Sequence, residues 1–136
     1  MWVKGKVSKG TDMRYRFAVF HLPLRIESNA NLREHWAVKM KRTKMQRWAA
    51  GCAVGASSDW TLPAGKFVVR LVRVGRRLLD DDNLCGGFKS IRDGVADALG
   101  LSDNDPRIKW EYAQEKGREY SCRIELFSAT DFREKV

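Results

Sequence analysis

Three consecutive carboxylates and an amide, Asp80-Asp81-Asp82-Asn83, stand directly after a basic run, FVVRLVRVGRRLL, over Phe67 to Leu79. Carboxylates this close repel one another at neutral pH unless a cation holds them. A hard divalent ion is the fitting cation, because Mg²⁺ takes carboxylate oxygens and keeps waters for chemistry. If the segment continues as a strand, alternate side chains share a face; Asp80 and Asp82 then stand together, about 7 Å apart, and Asp81 turns away. Such a pair needs a third acid. Asp105, beyond a helix that returns the chain toward the strand's starting edge, is the natural candidate, and Asp103 competes with it. On that helix Lys89 and Asp93 stand at i, i+4. They form a surface salt bridge, or Lys89 reaches the carboxylates, where an ammonium stabilises charge in a phosphoryl transition state. Asn83 is suited to bonding backbone and closing the turn.

Other chemistries lack their residues. An EF-hand loop begun at Asp80 needs glycine where Cys85 stands and glutamate where Ile91 stands. There is no GxSxG, no Walker A loop and no useful Cys–His spacing. Cys52, Cys85 and Cys122 contain no CxxC, and His21 and His35 are the only histidines, so a structural zinc site is not indicated. An odd cysteine count fits reduced thiols in a cytoplasmic compartment. No apolar run reaches the length of a membrane span, and no signal peptide is read at the start, so no membrane partner is expected; nor is a small-molecule cofactor expected.

A chain of 136 residues, 43% hydrophobic, can build one domain with a real core. Its net charge of +9 is uneven: residues 1–79 hold 17 Lys+Arg against 4 Asp+Glu, whereas residues 80–136 hold 9 against 13. A basic half beside an acidic half suits a polyanion bound next to a cation site. A solvated basic face has the same composition.

Tyr15 to Leu22 reads as a strand that Pro23 ends. Asn31 and Glu34 have capping-box spacing, which predicts a helix from there to about Cys52 with Leu32, Trp36, Met40 and Trp48 as its apolar stripe. Arg33, Lys39, Lys41, Arg42, Lys44 and Arg47 cover much of the remainder, as a solvated face or a phosphate-tracking one. Gly51 to Gly65 reads as a loop. Lys66 to Leu79 reads as a strand, and the run Val68, Val69, Leu71, Val72, Val74 makes it central. Phe88, Ile91, Val95, Ala98 and Leu99 recur at helical spacing, and Gly100 stops that helix. Ile108 to Gln114 and Tyr120 to Phe127 alternate as strands, with Lys116-Gly117 as a hairpin signal. The expected fold is α/β of the α+β type: one mixed-sheet domain over residues 1–136, with two main helices and the order β-α-β-α-β-β. Its core spans about residues 13–127, with flexible ends at 1–12 and 128–136. Trp2, Phe17 and Val19 are either core or dimer seam.

The ordered set is more specific than any of its parts: Asp80-x-Asp82-Asn83-Leu84, Lys89, Asp93, Ala96-Asp97-Ala98-Leu99-Gly100, then Asp103-Asn104-Asp105. It resembles the RusA family of Holliday-junction resolvases, small homodimeric endonucleases of bacteria and their prophages. Leu22-Pro23 and Ser28-Asn29-Ala30-Asn31 are similar to that family's proline and serine–asparagine segment. The resemblance covers roughly residues 20 to 126 and is strongest from Asp80 to Ile108. It implies that Asp80, Asp82 and Asp105 bind Mg²⁺, with Mn²⁺ a possible substitute, and that Lys89 is the catalytic lysine. Here Cys85-Gly86-Gly87-Phe88 separates Lys89 from Leu84, where the family usually has one residue, and Asn104 stands where an acid is common. The implied function is cleavage of four-way DNA junctions by a homodimer, with Arg33, Lys41, Arg42, Lys44, Arg47, Arg73, Arg76 and Arg77 holding phosphates. A non-catalytic DNA-binding protein of the same fold, and a nuclease for other branched DNA, are the alternatives.

Overall fold

The computed structural model describes residues 15–28, 35–57 and 60–128. Their elements are β1 (Arg16–Leu22), α1 (Trp36–Gly55), β2 (Phe67–Gly75), α2 (Asp81–Gly87), α3 (Lys89–Leu99), β3 (Ile108–Lys116) and β4 (Ser121–Ser128). The α+β class and the order β-α-β-α-β-β are as expected, with the second helical region divided in two. One four-stranded sheet has the order β1-β4-β2-β3. β4 runs antiparallel to both β1 and β2, whereas β2 and β3 are parallel, with Phe67 opposite Ile108 and Gly75 opposite Lys116. The expected hairpin between the last two strands therefore does not form. The turn signal is obeyed, but β2 lies between β3 and β4, and the Gly117 amide donates to the Gly75 carbonyl (2.9 Å) as the connection crosses the end of β2.

β2 is central as its apolar run requires, and every residue from Phe67 to Arg73 is buried. Alternation sends Phe67, Val69 and Leu71 to one face, where they meet Ala50 and Val54 of α1 and Phe88, Ile91 and Val95 around α3. The helices cover only this face. On the other, Val72 packs with Ala113, and ion pairs fill the rest. Glu125, 2% exposed, takes Arg16 at 2.8 Å and Arg123 at 3.0 Å; Arg123 also reaches Glu115 at 2.6 Å, and Arg70 reaches Glu111 at 3.0 Å. Val68 and Val72 are buried on this face as well.

α1 departs from its expected form at both ends and along its face. It begins at Trp36, where the His35 ring nitrogen Nδ1 accepts from the Ala37 amide (3.1 Å), and ends at Gly55. The proposed cap residues Asn31 and Glu34, and Leu32 of the stripe, lie outside the described residues, as does Trp2. Trp36, Met40 and Trp48 are exposed; Gln46, Ala50 and Val54 are buried instead. The small residues win this face because α1 crosses α3 closely. A Cβ on Gly94 would sit on the Arg47 carbonyl oxygen and 3.0 Å from the Ala50 Cβ. At the point of closest approach, residue 94, only glycine fits. Phe17 packs against the core beside Trp60, their ring centroids 6.1 Å apart. α3 ends as expected at Gly100, whose φ of 72° is left-handed.

Candidate functional site

The strand that was to carry Asp80 and Asp82 stops at Gly75, and the acidic segment is helical. Asp80 is the N-cap of α2, with Asp81 and Asp82 in its first turn. The alternation that paired Asp80 with Asp82 and dismissed Asp81 does not apply. The helix wins because a carboxylate at the N-cap, followed by acids, satisfies free amides and complements the positive end of the helix. Asp80 Oδ1 accepts from the Asn83 amide (2.9 Å) and Oδ2 from Asn83 Nδ2 (3.1 Å). Asn83 Oδ1 in turn accepts from the buried Ser28 hydroxyl (2.6 Å). The segment after β1 is thereby tied to the start of α2. Close packing reinforces the tie: a Cβ on Gly87 would meet the Glu27 carbonyl oxygen at 2.6 Å.

A second cluster joins α3 to the turn before β3. Lys89 Nζ donates to Asp93 Oδ1 (2.9 Å), so the i, i+4 bridge is formed, and it lies 3.6 Å from Asp103 Oδ2. The hydrogen bond to Asp93 raises the Lys89 pKa against the opposing effect of burial, and the ammonium stays charged. Arg92 Nε lies 3.4 Å from Asp103 Oδ2; its Nη2 donates to the Asp103 carbonyl (3.1 Å) and its Nη1 to the Tyr112 hydroxyl (3.0 Å). Trp110 Nε1 donates to the same carbonyl (2.9 Å), and the guanidinium lies 4.7 Å from the Trp110 ring centroid. Asp103 thus faces the helical cations. Asp105 closes the turn locally, its Oδ1 accepting from the Arg107 amide (2.9 Å).

Between these clusters lies a cleft of about 460 Å³ lined by Arg70, Asp81, Leu84, Cys85, Trp110, Glu111 and Tyr112. It is Asp81, not Asp80 or Asp82, that reaches it. The route there is set by Gln114: its Oε1 accepts from the Leu79 amide (2.9 Å) and its Nε2 donates to the Leu79 carbonyl (2.6 Å), pinning the chain alongside β3 before α2 starts. As donors, the oxygens of Asp80, Asp82 and Asp105 are of the type Mg²⁺ prefers, and a carboxylate that accepts one hydrogen bond keeps lone pairs for an ion. Their placement fits less well. Among the described residues no three acidic, histidine or cysteine side chains are gathered as a ligand group.

The basic residues divide. Lys41 and Lys44 on α1 and Arg76 and Arg77 after β2 are exposed, and Arg42 is half-buried. Arg47 is held by Asp97 through two hydrogen bonds of 2.7 and 2.9 Å. Arg33 lies outside the described residues. Arg73, expected among the phosphate-holding arginines, is 3% exposed; its Nε donates to the Ile26 carbonyl (2.8 Å) and its Nη1 to the Arg77 carbonyl (2.6 Å). Burial lowers its pKa, and its work is to hold the segment before Ser28. Sequence reasoning passed over Arg92, Trp110 and Tyr112. Their signal was present: Arg92 stands one helical turn after Lys89, and Trp110 and Tyr112 share one face of β3.

No protein-family model matches the chain. An uncharacterized protein of Xylella fastidiosa (strain Temecula1 / ATCC 700964) is 37% identical over 79 residues, covering 54% of this chain and 51% of that protein. The match therefore spans about half the length of that curated relative. No solved structure matches.

Proposed function

We propose that this protein is a RusA-type, Mg²⁺-dependent, structure-selective DNA endonuclease, hydrolysing phosphodiesters at four-way junctions in recombination and repair as a cytoplasmic homodimer. One observation carries the reading: segments far apart in sequence that supply its motif meet in space. Ser28 is bonded to Asn83 and Asn83 to Asp80, while Lys89 lies 3.6 Å from Asp103.

In this reading Asp80, Asp82 and Asp105 hold the ion, with Asp103 the alternative to Asp105. Bound there, Mg²⁺ would acidify a water and neutralise charge on the scissile phosphate. The remaining work falls to the chain. Asn83 fixes the carboxyl plane of Asp80 by its two bonds, so that ligand is oriented before any ion arrives. Lys89, kept protonated by Asp93, supplies a fixed positive charge for a phosphate oxygen. Lys41, Arg42 and Lys44 hold backbone phosphates away from the reacting one and carry no sequence information.

Incubation with a synthetic four-way junction and Mg²⁺ tests the reading. Nicking by the wild type and its loss in Asp82→Asn are expected; no nicking, or equal nicking by the variant, refutes it. Flap and plain duplex substrates, run alongside, identify a nuclease for another DNA. A non-catalytic DNA-binding protein of this fold is the second reading. It is favoured by the dispersal of the acids, no three of which are gathered as a ligand group among the described residues. Junction binding unaltered by Mg²⁺, without cleavage of any substrate, is its signature.

A further inference from the structure

About half of the side-chain cations among the described residues are neutralised where they stand. Arg16, Arg25, Arg47, Arg70, Lys89, Arg92, Arg107, Lys109 and Arg123 each pair with a carboxylate. Apart from Lys66 and the buried Arg73, the cations with no carboxylate partner among the described residues fall into two groups. One is Lys39, Lys41 and Lys44 on α1. The other is Arg76, Arg77, Lys116 and Arg118, at the end of the sheet where the β3–β4 connection crosses β2.

Three of this second group, Arg76, Lys116 and Arg118, line with Gly117 a depression of about 550 Å³. Its walls are fixed by backbone. The Gly117 amide donates to the Gly75 carbonyl (2.9 Å), and Arg76 Nε donates to the Arg118 carbonyl (2.9 Å). A Cβ on Gly117 would lie 2.6 Å from Val74 Cγ1, so the connection sits directly on β2. The bond through Nε orients the Arg76 guanidinium and leaves both Nη groups without a partner among the described residues. Like charges placed together, none of them paired with a carboxylate among the described residues, repel one another, and an external anion would relieve that repulsion. The lining offers cations and backbone and no apolar side chain, which suits phosphodiester oxygens and not a lipid tail.

We infer that this groove is a second nucleic-acid contact, in which Arg76, Lys116 and Arg118 grip backbone phosphates of a duplex arm. The inference rests on the nucleic-acid reading above and adds to it a surface that the acidic motif does not include. Contacts of this kind set affinity and its salt dependence without reading bases.

The test is binding of a labelled four-way junction, without metal, across a salt series. Lys116→Gln/Arg118→Gln should weaken binding about tenfold at 0.1 M salt and reduce the slope of log K against log salt by about 2. Lys116→Arg/Arg118→Lys, which keeps both charges, should bind as wild type does. Lys66→Gln/Lys109→Gln, which removes two charges at the opposite end of the same strands, should change binding about twofold or less. Equal losses in the two neutralised pairs, or no loss in the first, overturn the inference. So does a wild type that binds anionic vesicles but no DNA. Cleavage is scored separately. A groove variant that binds and cleaves like wild type sinks the groove alone; groove-dependent binding with no cleavage of any substrate sinks the nuclease reading alone.

Discussion

Replacing Asn83 by alanine isolates the relay that joins the two ends of the motif. The Ser28 hydroxyl is buried, and its acceptor is Asn83 Oδ1 at 2.6 Å. Alanine leaves that hydroxyl out of reach of water with no acceptor, which costs about 1–3 kcal/mol. Loss of the exposed Nδ2 bond to Asp80 adds about 0.5 kcal/mol. The cap itself survives, because the residue 83 amide still donates to Asp80 Oδ1. The expected loss is about 2 kcal/mol, or roughly 30-fold in the folding equilibrium. Ser28→Ala should cost less, about 1 kcal/mol, since the abandoned Asn83 oxygen is partly exposed and takes a water. The double variant should lose about 2 kcal/mol and not 3, a coupling near 1 kcal/mol. Urea denaturation followed by tryptophan fluorescence measures all four proteins, with unchanged m-values as the check on a common denatured state. Losses that add to within about 0.5 kcal/mol show that Ser28 and Asn83 do not share one bond, and the relay fails.

Gly94→Ala should destabilise despite gaining about 1 kcal/mol of helix propensity, since a methyl against the Arg47 carbonyl forces α1 and α3 apart. Gly86→Ala, with open space around its Cβ, should stabilise by up to about 1 kcal/mol; thermal melts of the pair check the opposite signs. Cys122, buried with its thiol pushed up to about 12, should resist a thiol reagent in the native state while Cys52 and Cys85 react. Cys85 should react more slowly than an open thiol, because burial, Asp81 and Asp82 oppose its thiolate; two thiols counted native and three in urea verify the assignment. The Lys89 pKa is raised, so its stabilisation is complete below the unfolded value and is lost as pH climbs through the higher folded one. Asp93→Asn should move the Lys89 titration, followed by side-chain NMR, to lower pH. Asp97 is the reverse case. Arg47 depresses its pKa, so its small surface contribution is present above the unfolded carboxylate value and vanishes as pH falls through the folded one.

Legibility from the sequence tracked how locally each feature is determined. The apolar run of β2, the face of Phe88, Ile91 and Val95, and the stop at Gly100 depend on neighbours along the chain, and each is where the sequence places it. The stripe of α1 is not legible from bulk, because a crossing tight enough to need Gly94 buries Ala50 and exposes Trp48. The acidic segment was misread as strand because three carboxylates carry no periodicity. Asp80 is equally the signature of an N-cap, and that is the role it takes. Lys116-Gly117 carries a hairpin signal and the chain does turn there, but strand pairing is not local, and nothing in that dipeptide says that β2 will lie between β3 and β4. The division of labour among arginines was legible only in part. Arg70 and Arg73 sit on a strand that had to be central, yet which carbonyls or carboxylates receive them is decided by segments over 40 residues away.

The strand order also dictates when the sheet can exist during synthesis. β1 is made first of the described strands and has one neighbour, β4, which is made last. Until Ser121–Ser128 leaves the ribosome, β1 has no partner, and β2 has only the parallel ladder with β3. The antiparallel half of the sheet then closes in one late event, as β4 slots between two waiting strands. A chain halted before that point leaves β1 and one edge of β2 unpaired, the kind of surface that chaperones hold and aggregates recruit. Loss of the final strand would therefore disperse the fold, not merely shorten it. A stop codon ahead of Ser121 should yield insoluble or degraded chain, with no smaller, stable domain left behind.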